Sequence, residues 1–167
     1  QKGVDVLMDA MDHYPKDPGF DLAIAGKGEL TDWLADRHSK SSARDRVTLL
    51  GLVSDSEKRW LYENSAAIAI PSRFEGLPTV LLEAMHAGTP VIMADVNGLG
   101  SMVSDCECGI SVPTEDHVSL SSAIEEVALA DESTRTSWGS SGIEASREYQ
   151  WDRVTDRVLD VYRRSVG

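Results

Sequence analysis

The stretch Ser65-Ala66-Ala67-Ile68-Ala69-Ile70-Pro71-Ser72-Arg73-Phe74-Glu75-Gly76-Leu77-Pro78-Thr79-Val80-Leu81-Leu82-Glu83-Ala84-Met85, followed by Gly88-Thr89-Pro90-Val91-Ile92-Met93-Ala94, reads as strand, loop, helix and strand. The small apolar residues from Ser65 to Ser72 suit a strand buried on both faces, which delivers Ser72, Arg73 and Phe74 to its C-terminal edge. Pro78 has its φ pre-set and lacks the amide that a first helical turn leaves unpaired. The helix is therefore expected to begin at Pro78 or Thr79 and to end near Gly88. Strand and helix patterns alternate in this way throughout the chain, which predicts a doubly wound parallel sheet with helices on both faces. In such sheets ligands bind at the C-terminal edge, where the Glu75 loop lies.

The mouth of that helix faces the loop. The amides of Thr79, Val80 and Leu81 have no partner inside the helix, and the macrodipole adds about half a positive charge there, so a phosphate fits. Side chains lean back toward a helix N-terminus, and Glu83 lies one turn after Thr79 on the same face, so its carboxylate is expected to point at the mouth. A carboxylate beside a phosphate repels it. The arrangement makes chemical sense if Glu83 and Glu75 accept hydrogen bonds from hydroxyls, which a sugar and a ribose joined to phosphates supply. The ligand implied is a nucleotide sugar. Outside this setting, such a pair is a loop carboxylate and a solvated helix face.

The spacing Glu75-x7-Glu83, set in Pro-Ser-x-Phe-Glu-Gly-Leu-Pro-x-Val-Leu-Leu-Glu-Ala-Met and followed by Ala-Gly-Thr-Pro-Val-Ile, resembles the donor-binding signature of group 1 (family 4) retaining glycosyltransferases of the GT-B fold. The resemblance covers nearly all of the chain. It implies a Rossmann-like three-layer α/β/α domain with a parallel sheet, one half of a GT-B fold. The implied reaction moves a hexose-type sugar from a nucleoside diphosphate sugar to an acceptor hydroxyl with retention. Glu75 then contacts the donor sugar as the catalytic candidate, Glu83 holds the ribose hydroxyls, and the segment Gly76, Leu77, Pro78, Thr79 and Val80 contacts sugar and phosphate through its backbone. The resemblance also assigns Lys2 to the diphosphate and Leu52, Val53 and Asp55 to the nucleobase. The Glu-Gly-Leu-Pro form tilts the expectation toward a uridine donor (UDP) over a guanosine one (GDP). Two departures weaken the reading of a later loop: Asn97 stands where the family usually has a first glycine, which asparagine tolerates because it accepts positive φ, and Ser101 stands where it has a glutamate.

The same resemblance makes residues 1–167 a single C-terminal nucleotide-sugar-binding domain with its first strand truncated, the N-terminal acceptor domain lying upstream. The isolated domain is expected to be inactive, and its acceptor, a glycan or lipid-linked sugar, to meet the missing domain. The first residue is Gln rather than Met, which suggests a segment of a longer protein. A nucleotide-sugar epimerase of the same fold and a non-catalytic nucleotide-binding domain remain as alternatives.

Outward from the core stretch, Val4, Leu7, Met8 and Met11 form a helical stripe from Gly3 to His13, and Pro15 to Gly19 is turn chemistry. Asp21 to Gly26 reads as a buried strand. Gly26 and Gly28 permit close backbone approach or simply turn the chain, and Thr31 breaks the dinucleotide fingerprint where its third glycine belongs. A helix from Glu29 to Ser39 is expected to pack Leu30, Trp33 and Leu34 into the core. Val47 to Leu50 is the next strand, and Ser54 or Asp55 caps the helix that follows. Cys108 to Pro113 is the last strand, with Asp116 capping a helix through Leu129. Helices from Thr134 to Arg147 and Trp151 to Arg164 close the chain, the latter expected to bury Val154, Val158, Val161 and Tyr162, with Trp151 filling a hydrophobic gap.

The composition, 41% apolar and 26% charged, is that of an ordinary globular chain, and no run approaches a membrane span or a signal peptide. A cytoplasmic protein is expected, with the inner membrane face as the alternative location for the full-length enzyme. The net charge of −12 argues against nucleic acid as a partner. It also opposes an anionic donor, so local cations and helix termini must hold the phosphates, or the acidity reflects a saline habitat. Cys106 and Cys108 read as reduced structural thiols, the four histidines are scattered, and no Asp-x-Asp occurs, so no metal cofactor is expected.

Overall fold

The computed structural model describes residues 1–14 and 19–166, so the turn expected at Pro15 to Gly19 lies almost wholly outside the described residues. The elements follow the alternation in the sequence: α1 (Val4–Asp12), β1 (Leu22–Ala25), α2 (Thr31–Lys40), β2 (Val47–Gly51), α3 (Asp55–Asn64), β3 (Ile68–Ile70), α4 (Thr79–Ala87) and β4 (Val91–Ala94). They continue with α5 (Leu99–Asp105), β5 (Gly109–Val112), α6 (His117–Leu129), α7 (Glu132–Ser146) and α8 (Trp151–Val166). All strand pairs are parallel.

Three layers follow from the two faces of β4, whose residues are all buried. Val91 and Met93 face a cluster with Tyr62 of α3, Leu81, Ala84 and Met85 of α4, and Val103 of α5. Ile92, with Val112 of β5, faces the other way, against Val6, Leu7 and Ala10 of α1 and Leu120, Ala123 and Val127 of α6. A third cluster ties Met8, Met11 and Tyr14 to Val47 of β2, with Leu22 and Ile24 of β1 packed against it. The period-two alternation of a strand thus sorts its side chains between two helical layers, as the Rossmann-like reading requires.

The sheet is divided. Among the described residues β1 pairs with β2, and β3, β4 and β5 pair in that order, but no hydrogen bonds join β1 to β3. Nor is β1 buried on both sides: Leu22 and Ile24 turn inward, while Ala23 and Ala25 face solvent. Leu30 and Trp33 are exposed too, and α2 buries none of its residues, because only Leu34 leans on the α1 cluster. The largest departure is α8. Trp151 is 84% exposed and Val158, Val161 and Tyr162 are also exposed, since the helix packs chiefly on the 3-10 turn at Arg147–Tyr149, where Arg153 and Arg157 pair with Glu148. The stripe in the sequence is real, but the described residues place nothing over it. The helix α5, read as loop from the sequence, was not expected.

Candidate active site

The loop between β3 and α4 is built against the start of the chain. The Arg73 amide donates to the Gln1 carbonyl at 2.8 Å, and the Gln1 side-chain amide donates to the Phe74 carbonyl at 3.3 Å. Gly3 makes the approach possible: its φ is +68°, and a Cβ there would lie 1.9 Å from the Pro71 carbonyl oxygen. Arg73 then clamps α1 from the side, its guanidinium donating to both Asp5 carboxylate oxygens at 2.8 and 2.7 Å and to Glu115 at 2.8 Å. Arg73 holds the Asp5 carboxyl below the usual carboxylate range.

This frame sets Lys2 beside Glu75. Lys2 Nζ donates to Glu75 Oε1 at 2.6 Å, and the buried Ser72 hydroxyl donates to the same oxygen at 2.7 Å. The Glu75 side chain is only 8% exposed against 64% for that of Lys2. Burial pushes the Glu75 carboxyl up, but Lys2 and Ser72 together outweigh it, so the group sits below its ordinary value and stays ionised at neutral pH. The Asn97 side chain donates to the Glu75 carbonyl at 2.9 Å, with Asn97 itself at φ +53°, the positive φ its place in a glycine position anticipates. Ser72 and Asn97 were not among the candidates from the sequence.

The helix mouth lies open. Pro78 is buried as the residue before α4, whereas Gly76, Leu77, Thr79 and Val80 are exposed. Among the described residues, the amides of Gly76, Leu77, Thr79 and Val80 have no protein acceptor. Leu81 departs from expectation, because its amide closes a tight first turn on the Pro78 carbonyl at 3.1 Å. The far end of α4 stops at Gly88, at φ +75°, where the Gly88 amide donates to the Met85 carbonyl at 3.1 Å and the Thr89 amide to the Ala84 carbonyl at 3.0 Å.

Glu83 is held from α3. Tyr62 donates its hydroxyl to Oε2 at 2.7 Å, and Lys58 Nζ lies 3.1 Å from Oε1. Glu75 and Glu83 therefore belong to separate clusters and share no hydrogen-bond partner. The nucleobase candidates line the approach to α3: Leu52 is 77% exposed and Val53 half-buried. Ser54, not Asp55, caps α3, in a capping box with Glu57. That leaves the Asp55 carboxylate in solvent, 4.0 Å from Lys58. Gly26 and Gly28 have open space around them.

The site can thus offer free amides and a lysine to an anion, and two fixed carboxylates to hydroxyls. The sequence family described as Glycosyl transferases group 1 matches residues 1–145. The chain belongs to that family. An uncharacterised glycosyltransferase of Methanocaldococcus jannaschii is 31% identical over 170 residues, which cover 98% of this chain and 42% of that one. The solved sucrose-phosphate synthase of Thermosynechococcus elongatus superposes with a TM-score of 0.78 at 28% identity, over 99% of this chain and 42% of that one. A D-inositol 3-phosphate glycosyltransferase of Xylanimonas cellulosilytica is 30% identical, over 99% of this chain and 40% of its own length. This group 1 glycosyltransferase chain therefore has the Rossmann-like architecture of a GT-B enzyme and spans about two fifths of the length of such relatives. Among its described residues no helix is long and apolar enough to cross a membrane, and no group of three or more His, Cys, Asp and Glu side chains is placed to hold a metal ion.

Proposed function

We propose that this chain is the donor-binding half of a retaining glycosyltransferase, taking a hexose-type unit from a nucleoside diphosphate sugar, with UDP favoured over GDP. The observation that carries the proposal is the open mouth of α4, where exposed amides without acceptors lie between two carboxylates already fixed by other side chains. The diphosphate docks on the amides of Thr79 and Val80, Glu83 accepts from the ribose, and Glu75 accepts from the donor sugar. Leu52, Val53 and Asp55 border the base. As the glycosidic bond breaks, negative charge grows on the diphosphate, and donors already in place stabilise it without reorganisation. Lys2, exposed and long, supplies the cation. A solved Anabaena protein of the same fold, 23% identical to this chain, is in complex with UDP-glucose, a ligand of the class proposed here.

The activity needs more chain than these residues. Leu22 and Ile24 of β1 and Ala69 of β3 pack on the same α1 and α6 cluster, and the unpaired edges of these two strands are where a strand from a segment preceding Gln1 would pair. The acceptor domain belongs upstream of that strand, and the apolar face of α8 is available to it. Calorimetry of UDP and GDP binding to the complete protein tests the reading. Glu83→Ala is expected to weaken the nucleotide by about 1–3 kcal/mol; undiminished binding would remove the ribose role. Product analysis by NMR is expected to show the donor's anomeric configuration kept.

A further inference from the structure

Glu83 is held by two side chains from a different helix, and packing explains the ring of one of them but not its hydroxyl. Tyr62 is buried in the cluster that contains Leu81, Ala84 and Met85, where a phenylalanine would fill the same space. Its hydroxyl nonetheless reaches Glu83 Oε2 at 2.7 Å. Its main chain is fastened as well: the buried Thr89 hydroxyl, just beyond α4, donates to the Tyr62 carbonyl. Lys58, one turn earlier on α3, takes the other oxygen, Oε1, at 3.1 Å.

A carboxylate has about four acceptor sites, two on each oxygen. Tyr62 and Lys58 use one site on each, which leaves one free on each oxygen, the number that two neighbouring hydroxyls require. A glutamate on a half-exposed helix face otherwise samples several staggered rotamers, and binding has to freeze one of them. Tyr62, buried and with few torsions, is a stiff anchor. Burial first, and the Glu83 carboxylate second, raise the pKa of its hydroxyl, so it remains a donor at any working pH.

We propose that Tyr62 and Lys58 are positioning residues for nucleotide recognition: they fix the Glu83 carboxylate so that its two free acceptor sites meet the 2′- and 3′-hydroxyls of the ribose. The inference rests on the reading of Glu83 as the ribose contact.

The test compares UDP with 2′,3′-dideoxy-UDP, and the guanosine pair alongside, by calorimetry on the complete protein and on Tyr62→Phe, Lys58→Gln and Glu83→Gln. Tyr62→Phe and Lys58→Gln are each expected to weaken the ribonucleotide about three- to tenfold while leaving the dideoxynucleotide within about twofold of the parent. An equal loss for both nucleotides marks a packing or charge effect and overturns the proposal, as does no change for either. Should Tyr62→Phe fail to fold, Lys58→Gln decides alone by the same criterion. Glu83→Gln separates the two levels. If it narrows the preference for ribose and the α3 variants do not, the positioning role falls and the ribose contact stands. If Glu83→Gln leaves the preference intact, or no nucleotide binds the parent, the ribose reading falls and takes the positioning role with it.

Discussion

Glu75 is nearly sealed from solvent, and two donors keep it charged there. Because its folded pKa lies below the ordinary carboxylate value, its contribution to stability is present above that value and is lost as the pH falls through the folded one. Its role in binding is separable from this. Glu75→Ala is expected to cost about 1–3 kcal/mol in calorimetry with a nucleotide sugar and little with the bare nucleotide; equal losses would place Glu75 on the nucleotide instead. Asp12 offers a cleaner titration, remote from the loop. Burial raises its carboxyl, but the Ser41 hydroxyl, Arg37, the Ser42 hydroxyl and the Ala43 amide pull it down from 3.8 to about 2. The stability it supplies is full above the unfolded value and disappears as the pH drops toward the folded one. Acid titration of the unfolding free energy is expected to show the parent losing about 2 kcal/mol more than Asp12→Asn between about pH 5 and pH 2. Glu75 and Glu83 were legible in the sequence because one short motif carries both. Ser72 was quoted only as the end of a strand and Asn97 only as the stand-in for a glycine, and Tyr62 and Lys58 had no visible role. Tyr62 and Lys58 act 21 and 25 positions away in the chain, through a helix contact that spacing does not encode.

At the scale of elements, the packing of α7 on α4 depends on the absence of a side chain. A Cβ at Gly139 would meet the Gly88 carbonyl oxygen at 2.2 Å, so the two helices approach at their backbones. Gly139→Ala must push them apart, and is expected to destabilise by about 1–3 kcal/mol in chemical denaturation. A change under half that would mean that α7 moves freely against α4. Helix starts were readable where a cap announces them, at Ser54 for α3 and Asp116 for α6. The helix α5 has seven residues and no side-chain cap, and it begins at Leu99 after two positive-φ residues, so its sequence looks like loop. The stripe on α8 illustrates a different limit. Periodicity reports that one face is apolar, not what covers it.

For the whole molecule, the alternation of strands and helices gave the layered architecture, while the divided sheet came only from coordinates. Two parallel strands on one side and three on the other leave two inner edges unpaired, and the apolar face of α8 lies exposed. Should a preceding segment supply the proposed strand, a longer chain that includes it is expected to unfold at a higher temperature than residues 1–167, by at least about 5 °C in calorimetry; coincident transitions would show that it does not pack here. Net charge acts at this scale too. At −12 the chain repels a diphosphate at long range, so added salt is expected to speed nucleotide association.

The central claim is that the pyrophosphate of the donor sits on the first turn of α4. Amide chemical-shift mapping of the complete protein, titrated with UDP and with GDP, tests it most directly. The account predicts saturable shifts at Gly76, Leu77, Thr79 and Val80, together with Glu83. Saturable shifts confined to the groove lined by Ser104, Ile110 and Trp138, with the start of α4 unmoved, would contradict it.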